Sequence, residues 1–222
     1  MKNKIEDKCP LLQNVRYTEK ESFLKYANNN LNIIKNNKKS IIIQKDKLNL
    51  YYVLNGSYLE SVIDNKDKIS YSLIFGKNSL FSDIGFKNFE TEWHSLEDNS
   101  KVLTISKNQR DYIIFNYPKV TQNIIRLQDE LASNYQNRLI KNMNDLTLED
   151  KLHNVIDTCI TQIGREEKDY FTMKKLDQKT LAKMIGTTRE SVSRTIKNSN
   201  SISYGNSRIK VKKRLHEKWK KY

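Results

Sequence analysis

The chain has 222 residues, 37% of them hydrophobic and 30% charged, with two prolines and a formal net charge of +14. That is enough apolar material for one or two cored domains. No stretch approaches the roughly twenty apolar residues of a membrane span, and the opening Met1-Lys-Asn-Lys-Ile-Glu-Asp7 lacks the apolar centre of a signal peptide, so no membrane partner and a cytoplasmic location are expected.

The elements are expected to begin with a helical stretch near Glu19–Ala27. Cys9, just before Pro10, falls at an end expected to be mobile. Strand-like runs rich in Ile, Val, Tyr and Leu follow at Ser40–Ile43, Leu50–Leu54, Ser57–Ile63, Ile69–Phe75 and Lys101–Ile105. Asn55-Gly56 predicts a hairpin, and Asp64–Asp67 and Gly76–Asn78 read as further turns. Short strands at this spacing suggest a small barrel or roll over residues 1–117.

After Pro118 the texture changes. Ile124, Leu127, Leu131, Tyr135, Leu139, Met143 and Leu146 recur every three or four residues, which predicts one long helix with a single apolar stripe over 118–146. The stripe must be buried, either on the chain's own roll or against a second copy. A second copy is the expectation. Thr147 then caps a helix whose buried face is Leu152, Val155, Ile156, Cys159 and Ile160, with Gly164 as its stop. Cys9 and Cys159 are the only thiols and form no CxxC pair, which argues against an iron–sulfur cluster held by one chain.

Residues 181–197 carry the most information. Asp177 caps a helix over Gln178–Ile185 with Leu181, Ala182 and Ile185 on one face. Gly186 supplies a left-handed residue, and Thr187 and Thr188 both suit a cap, Thr187 with Glu190 at capping-box spacing. A second helix buries Val192 and Ile196 and leaves Arg189, Glu190, Ser193 and Arg194 free. Small Ala182 allows the close crossing of a helix-turn-helix. The free face has the chemistry of base readout: an Arg fork matches guanine O6 and N7, and Glu accepts from cytosine N4. Gln178, Lys179, Thr187, Thr188 and Lys197 complete the expected DNA-contacting set. A solvated face of a structural helical pair is the plainer reading, but turn, core and charged face agree in register. Ser201–Tyr204 and Arg208–Val211 flank a Gly205-Asn206 turn and predict a short hairpin, the wing of a winged helix.

Charge points the same way. Residues 171–222 hold fifteen Lys or Arg against three Asp or Glu, while residues 1–170 hold twenty-five against twenty-three. Positive charge concentrated on one module is the footprint of phosphate binding. The Lys210–Tyr222 run also suits a solubilising tail or anionic lipid, but no long apolar segment accompanies it.

Strand roll, long helix and winged helix-turn-helix, in this order and length, resemble the Crp/Fnr family of bacterial transcription regulators. The resemblance is carried by Leu181–Lys197 (LAKMIGTTRESVSRTIK), Leu50–Gly56 (LYYVLNG), Leu80–Phe86 (LFSDIGF) and Asn116–Val120 (NYPKV). It implies an α+β protein with three parts: a β-roll of double-stranded β-helix or jelly-roll type at 1–117, a dimerisation helix at 118–146 and a winged helix-turn-helix at 147–222. It implies a non-enzymatic homodimer that binds double-stranded DNA, works with RNA polymerase and recognises inverted TGTGA- or TTGA-like half-sites. Arg189, Glu190 and Arg194 fall on the family's base-contacting positions, Glu190, Ser193 and Arg194 also match its Glu-x-x-Ser-Arg pattern, and Thr188 falls on a phosphate-contacting position. Ile124, Leu127, Leu131, Tyr135 and Leu139 become the expected dimer interface. The stretch Lys197–Ile202 lacks the usual Leu-rich continuation, so the second helix is expected to end early.

The sensor departs from the cyclic-nucleotide pattern. The Phe-Gly-Glu segment becomes Phe81-Ser82-Asp83, and Glu90-Thr91 stand where an Arg-Ser pair would hold the cyclic phosphate. A phosphate needs a cation and donors, which a further carboxylate repels. The ligand pocket is therefore placed at Ser82, Asp83, Glu90 and Thr91, with cyclic AMP excluded as the ligand and the signal either another molecule or the protein's abundance. Haem is the alternative cofactor, with His94 as its axial ligand, and a ligand is expected to act by shifting a population through the long helix. Two other classes compete. A cupin-like metalloenzyme needs clustered ligands, whereas His94, His153 and His216 are scattered. A non-specific architectural protein needs the basic tail but not the Arg189–Arg194 face.

Overall fold

The computed structural model describes residues 9–43, 49–64, 69–82, 89–143 and 146–213. It is an α+β molecule of antiparallel sheets and helices.

After a short helical turn at Pro10–Leu12, helix α1 spans Tyr17–Asn30. Eight strands follow: β1 Asn32–Asn36, β2 Ile41–Ile43, β3 Leu50–Asn55, β4 Tyr58–Asp64, β5 Ile69–Phe75, β6 Leu80–Ser82, β7 Phe89–Ser95 and β8 Ser100–Ile105. They form two four-stranded sheets, ordered β1-β8-β3-β6 and β2-β7-β4-β5. Tyr51, Val53, Phe81 and Val102 of the first sheet face Ile42, Tyr58, Leu73, Phe75 and Trp93 of the second. The other face of the first sheet (Leu50, Tyr52, Leu80, Leu103, Ile105) packs under Phe23 and Ala27 of α1 and on helices α2 (Lys107–Asn116) and α3 (Pro118–Met143). The outer face of the second sheet, through Leu59 and Ile74, joins the core of the C-terminal unit. Each sheet is thus covered on both faces, which is why β3 reads Leu-Tyr-Tyr-Val-Leu rather than alternating apolar with polar.

Three expectations change here. Asn55-Gly56 does not make a hairpin: β3 pairs with β8 and β6, and β4 pairs with β5 and β7. The turn carries the chain from one sheet to the other. Gly56 has φ +83° and lies so close to Ser100 that an added Cβ would stand 2.2 Å from its Oγ. Strands β1, β6 and β7 and helix α2 also exist where no element was expected. Cys9 is buried beside Leu11 and Leu12 in the first core, and burial pushes its thiol above the ordinary range. The Asp64–Asp67 turn lies largely outside the described residues, but β4 and β5 flank it as an antiparallel pair.

The long helix α3 starts at Pro118, where a missing N–H costs nothing. Glu19 of α1 accepts from the N–H groups of Lys119 and Val120. Helix α4, Leu148–Ile163, opens with a Thr147–Asp150 capping box and buries Leu152, Ile156, Cys159 and Ile160, with Val155 half-buried. Among the described residues no helix is long and apolar enough to cross a membrane.

Candidate nucleic-acid interface and sensor roll

Beyond α4 come β9 (Arg165–Glu166), β10 (Tyr170–Lys174), helices α5 (Gln178–Ile185) and α6 (Arg189–Asn198), and strands β11 (Ile202–Tyr204) and β12 (Arg208–Lys212). The strands form a sheet ordered β11-β12-β10-β9. Asp177 caps α5 by accepting from the Thr180 N–H at 2.7 Å. Gly186 ends it at φ +69°, ψ 41°, and its N–H donates to Ala182, as does that of Thr187 at 2.9 Å. Thr188, not Thr187, caps α6: its Oγ1 accepts from the Ser191 N–H, so no Thr187–Glu190 capping box forms. Leu181, Ala182 and Met184 of α5 meet Val192 and Ile196 of α6 in the core. Met184 takes the buried place expected for Ile185, which is half-buried.

The opposite side of this pair carries the charged set. Arg189, Glu190, Arg194 and Lys197 are exposed on α6, Ser193 is half-buried beside them, and Thr188 is exposed at the helix start. Lys179 is exposed on α5, and Gln178 and Thr187 are half-buried. Arg189 and Arg194 are both exposed, and among the described residues neither forms an ion pair; the Arg189 charge acts on the Tyr204 phenol. Helix α6 stops at Asn198, with Ser199 as its C-cap. β11 and β12 are an antiparallel pair joined across Gly205–Ser207, with Arg208 and Lys210 exposed. Tyr204 donates to the Leu176 carbonyl at 2.6 Å and carries Lys175 over its ring at 4.6 Å, which ties the hairpin to the start of α5. Residues 214–222 of the basic run lie outside the described residues.

The long helix meets the roll rather than leaving its stripe open. Ile124 and Leu127 are buried in the first core and Leu131 with the residues between the sheets, so one copy of the chain already covers most of these three side chains. A stripe that reaches two cores of one chain has no need of a second copy to leave water. Tyr135 is half-buried and donates a short hydrogen bond to the carboxylate of Glu60, which is buried on β4. The side chain of Leu139 lies outside the described residues. On the other side of α3, Ile125 is 51% exposed.

Of the expected ligand residues, Ser82 ends β6 in the first sheet and Glu90 and Thr91 stand on β7 in the second, with Glu90 exposed and Thr91 buried; Asp83 lies outside the described residues. What sequence reasoning missed is the filling of the roll. Phe81 sits 4.9 Å from Trp93, 5.2 Å from both Tyr51 and Phe75, and 5.6 Å from Tyr58, ring centre to ring centre. An inward Glu60 two residues after inward Tyr58 was visible as a period-two break in an apolar strand.

His94 lies across from Leu59 on the outer face of the second sheet. Its Nε2 is 2.8 Å from the Ser61 hydroxyl and 3.5 Å from Glu92. Burial holds its imidazole below the ordinary range; Glu92 opposes this and Lys183 of α5 adds to it. A haem iron needs an uncommitted imidazole nitrogen facing an apolar slot, and this one is committed to Ser61 beside a carboxylate. The residues at His94 therefore do not fit haem. His153 lies far along the chain on α4, with Nε2 3.1 Å from Ser201 Oγ, and His216 lies outside the described residues. Among the described residues no group of three His, Cys, Asp or Glu stands together to hold a metal.

No protein-family model matches the chain. No curated protein matches it either. Solved structures do. A cyclic nucleotide-binding domain containing protein from Listeria monocytogenes is similar with TM-score 0.73 at 11% identity, over 89% of this chain and 99% of that one. FixK2 from Bradyrhizobium japonicum follows with TM-score 0.69 at 10% identity, over 86% and 96%. A Crp/Fnr family protein from Eubacterium rectale has TM-score 0.65 at 17% identity, over 98% and 100%. Roll, long helix and helix pair together give this chain the fold of the Crp/Fnr regulators.

Proposed function

We propose that this protein is a sequence-specific DNA-binding transcription regulator of the Crp/Fnr type. One observation carries the reading: α6 buries Val192 and Ile196 and turns Arg189, Glu190 and Arg194 outward, unpaired with each other, from a helix pair fixed by Gly186. Arg194 and Arg189 pair with guanine and Glu190 with cytosine N4, while Thr188, Ser193, Lys197, Gln178, Lys179 and Thr187 hold phosphates or base edges. The β11–β12 hairpin acts as a wing, its Arg208 and Lys210 against the backbone.

The protein acts as a homodimer on an inverted repeat of TGTGA- or TTGA-like half-sites, in the cytoplasm and with RNA polymerase. With Ile124, Leu127 and Leu131 taken by the roll, pairing uses the opposite face of α3, which carries Ile125. The signal is not cyclic AMP. Aromatic rings occupy the space between the sheets, and Glu90-Thr91 replace the Arg-Ser pair that the resemblance would require for a cyclic phosphate. Its control comes from another signal or from its abundance.

The test compares wild type and Arg194→Ala on a selected operator and on its scrambled duplex. Loss of about 1–3 kcal/mol of discrimination with non-specific binding retained is expected. Unchanged discrimination, or equal affinity of the wild type for all duplexes as an architectural protein shows, contradicts the reading.

A further inference from the structure

The three parts of the chain meet around a cavity of about 270 Å³. Leu73 of β5 lines it from the roll, Leu127 and Leu131 from α3, and Gln162 from the end of α4. Gln162 is also where the roll is pinned: it accepts from the Ser79 hydroxyl at 2.9 Å, and its carbonyl lies so close to Gly76 that an added Cβ would stand 1.9 Å away. The apolar wall is faced by two opposite charges, Arg126 and Glu130, one helical turn apart and bridged at 2.7 Å, and Lys77 adds a second cation. The pair is 44% and 55% exposed, so its bridge is weak, and Arg126 also donates to Gln13 Oε1 at 3.0 Å.

Size and charge together narrow the guest. Pockets for drug-sized ligands span roughly 300–1,000 Å³, and this one falls just below, which suits a molecule of amino-acid size. A carboxylate alone would face Glu130, and an amine alone would face Arg126 and Lys77. A guest with an apolar body and both charges on one carbon meets all of these groups. We propose that this junction binds a free apolar α-amino acid, with its carboxylate on Arg126 and Lys77, its ammonium on Glu130 and its side chain on Leu127 and Leu131. Such a guest touches the roll, α3 and α4 at once, so occupancy favours whichever arrangement of the three closes around it. The site is separate from the α6 face, and its test involves no DNA.

The experiment is calorimetric titration of the full chain with L-leucine, and with isocaproate and isoamylamine, which keep its side chain but only one charge each. Saturable binding of one leucine per chain is expected, with both analogues about tenfold weaker or worse. Arg126→Gln and Glu130→Gln are each expected to weaken leucine about tenfold, the effect of one lost charge-assisted hydrogen bond, with unchanged circular dichroism. No saturable heat with leucine or phenylalanine, equal affinity for leucine and either analogue, or leucine binding that neither substitution weakens would overturn the proposal.

Discussion

Gly186 shows how single residues set the proposed reading face. Its φ of +69° lies in the left-handed region and nothing stands within 4 Å of an added Cβ, so the conformation and not space demands glycine. Gly186→Ala is therefore expected to destabilise the protein by about 1–2 kcal/mol in urea unfolding, and Gly186→Asn by less. A loss as large with Asn as with Ala would mean that the turn is held by something other than backbone preference. Tyr135 makes a second point. Its phenol reaches a carboxyl group that is 2% exposed, so Tyr135→Phe removes a donor from a buried acceptor and is expected to cost about 1–3 kcal/mol. An unchanged unfolding midpoint would mean that Glu60 needs nothing from the helix.

At the scale of elements, the sequence was most legible where local chemistry decides the outcome. Asp177, Gly186, Val192 and Ile196 fix α5 and α6 through caps, a left-handed stop and one-face burial, all of which act within a turn or two. The choice of Thr188 over Thr187 as cap was not legible, because both are threonines and a one-residue shift is decided by how α6 packs. Strand pairing was less legible for a physical reason. Asn55-Gly56 signals a reversal, but partner choice rests on which faces are buried, and both faces of β3 are. The same applies to α3: spacing shows that Ile124, Leu127 and Leu131 leave water, not what covers them. The sensor was the least legible part: Ser82 and Thr91 stand on different sheets, and position in a family motif carries no information about how two sheets face each other. Thr147→Ala, which removes the α4 cap, is expected to cost about 1 kcal/mol, because Thr147 accepts from the Asp150 N–H.

For the whole molecule, two histidines tie stability to pH. Burial lowers the His94 imidazole below its ordinary value of 6.5, as it does for His153, where Glu149 and Asp150 oppose the effect. A base whose folded value is depressed takes up its proton first in the unfolded chain. Stability is therefore full above about pH 6.5 and falls as pH drops toward the folded-state values. Urea unfolding at pH 7.5 and 5.5 is expected to show this fall, and His94→Gln with His153→Gln to flatten that part of it; a double variant with the wild-type slope would place the protons elsewhere. His94 lies on the roll beside Lys183 of α5, so part of this dependence belongs to the contact between roll and helix pair.

The concentrated charge of the C-terminal part is proposed to give non-specific affinity for DNA, and the α6 face selectivity. The most direct test is selection of binding sites from random duplexes with the intact protein, followed by affinity for the selected site and its scrambled counterpart at one salt concentration. The account predicts an inverted repeat bound about 10³-fold or more tighter than the scrambled duplex. Recovery of no common sequence, or equal affinity for both duplexes, would contradict it.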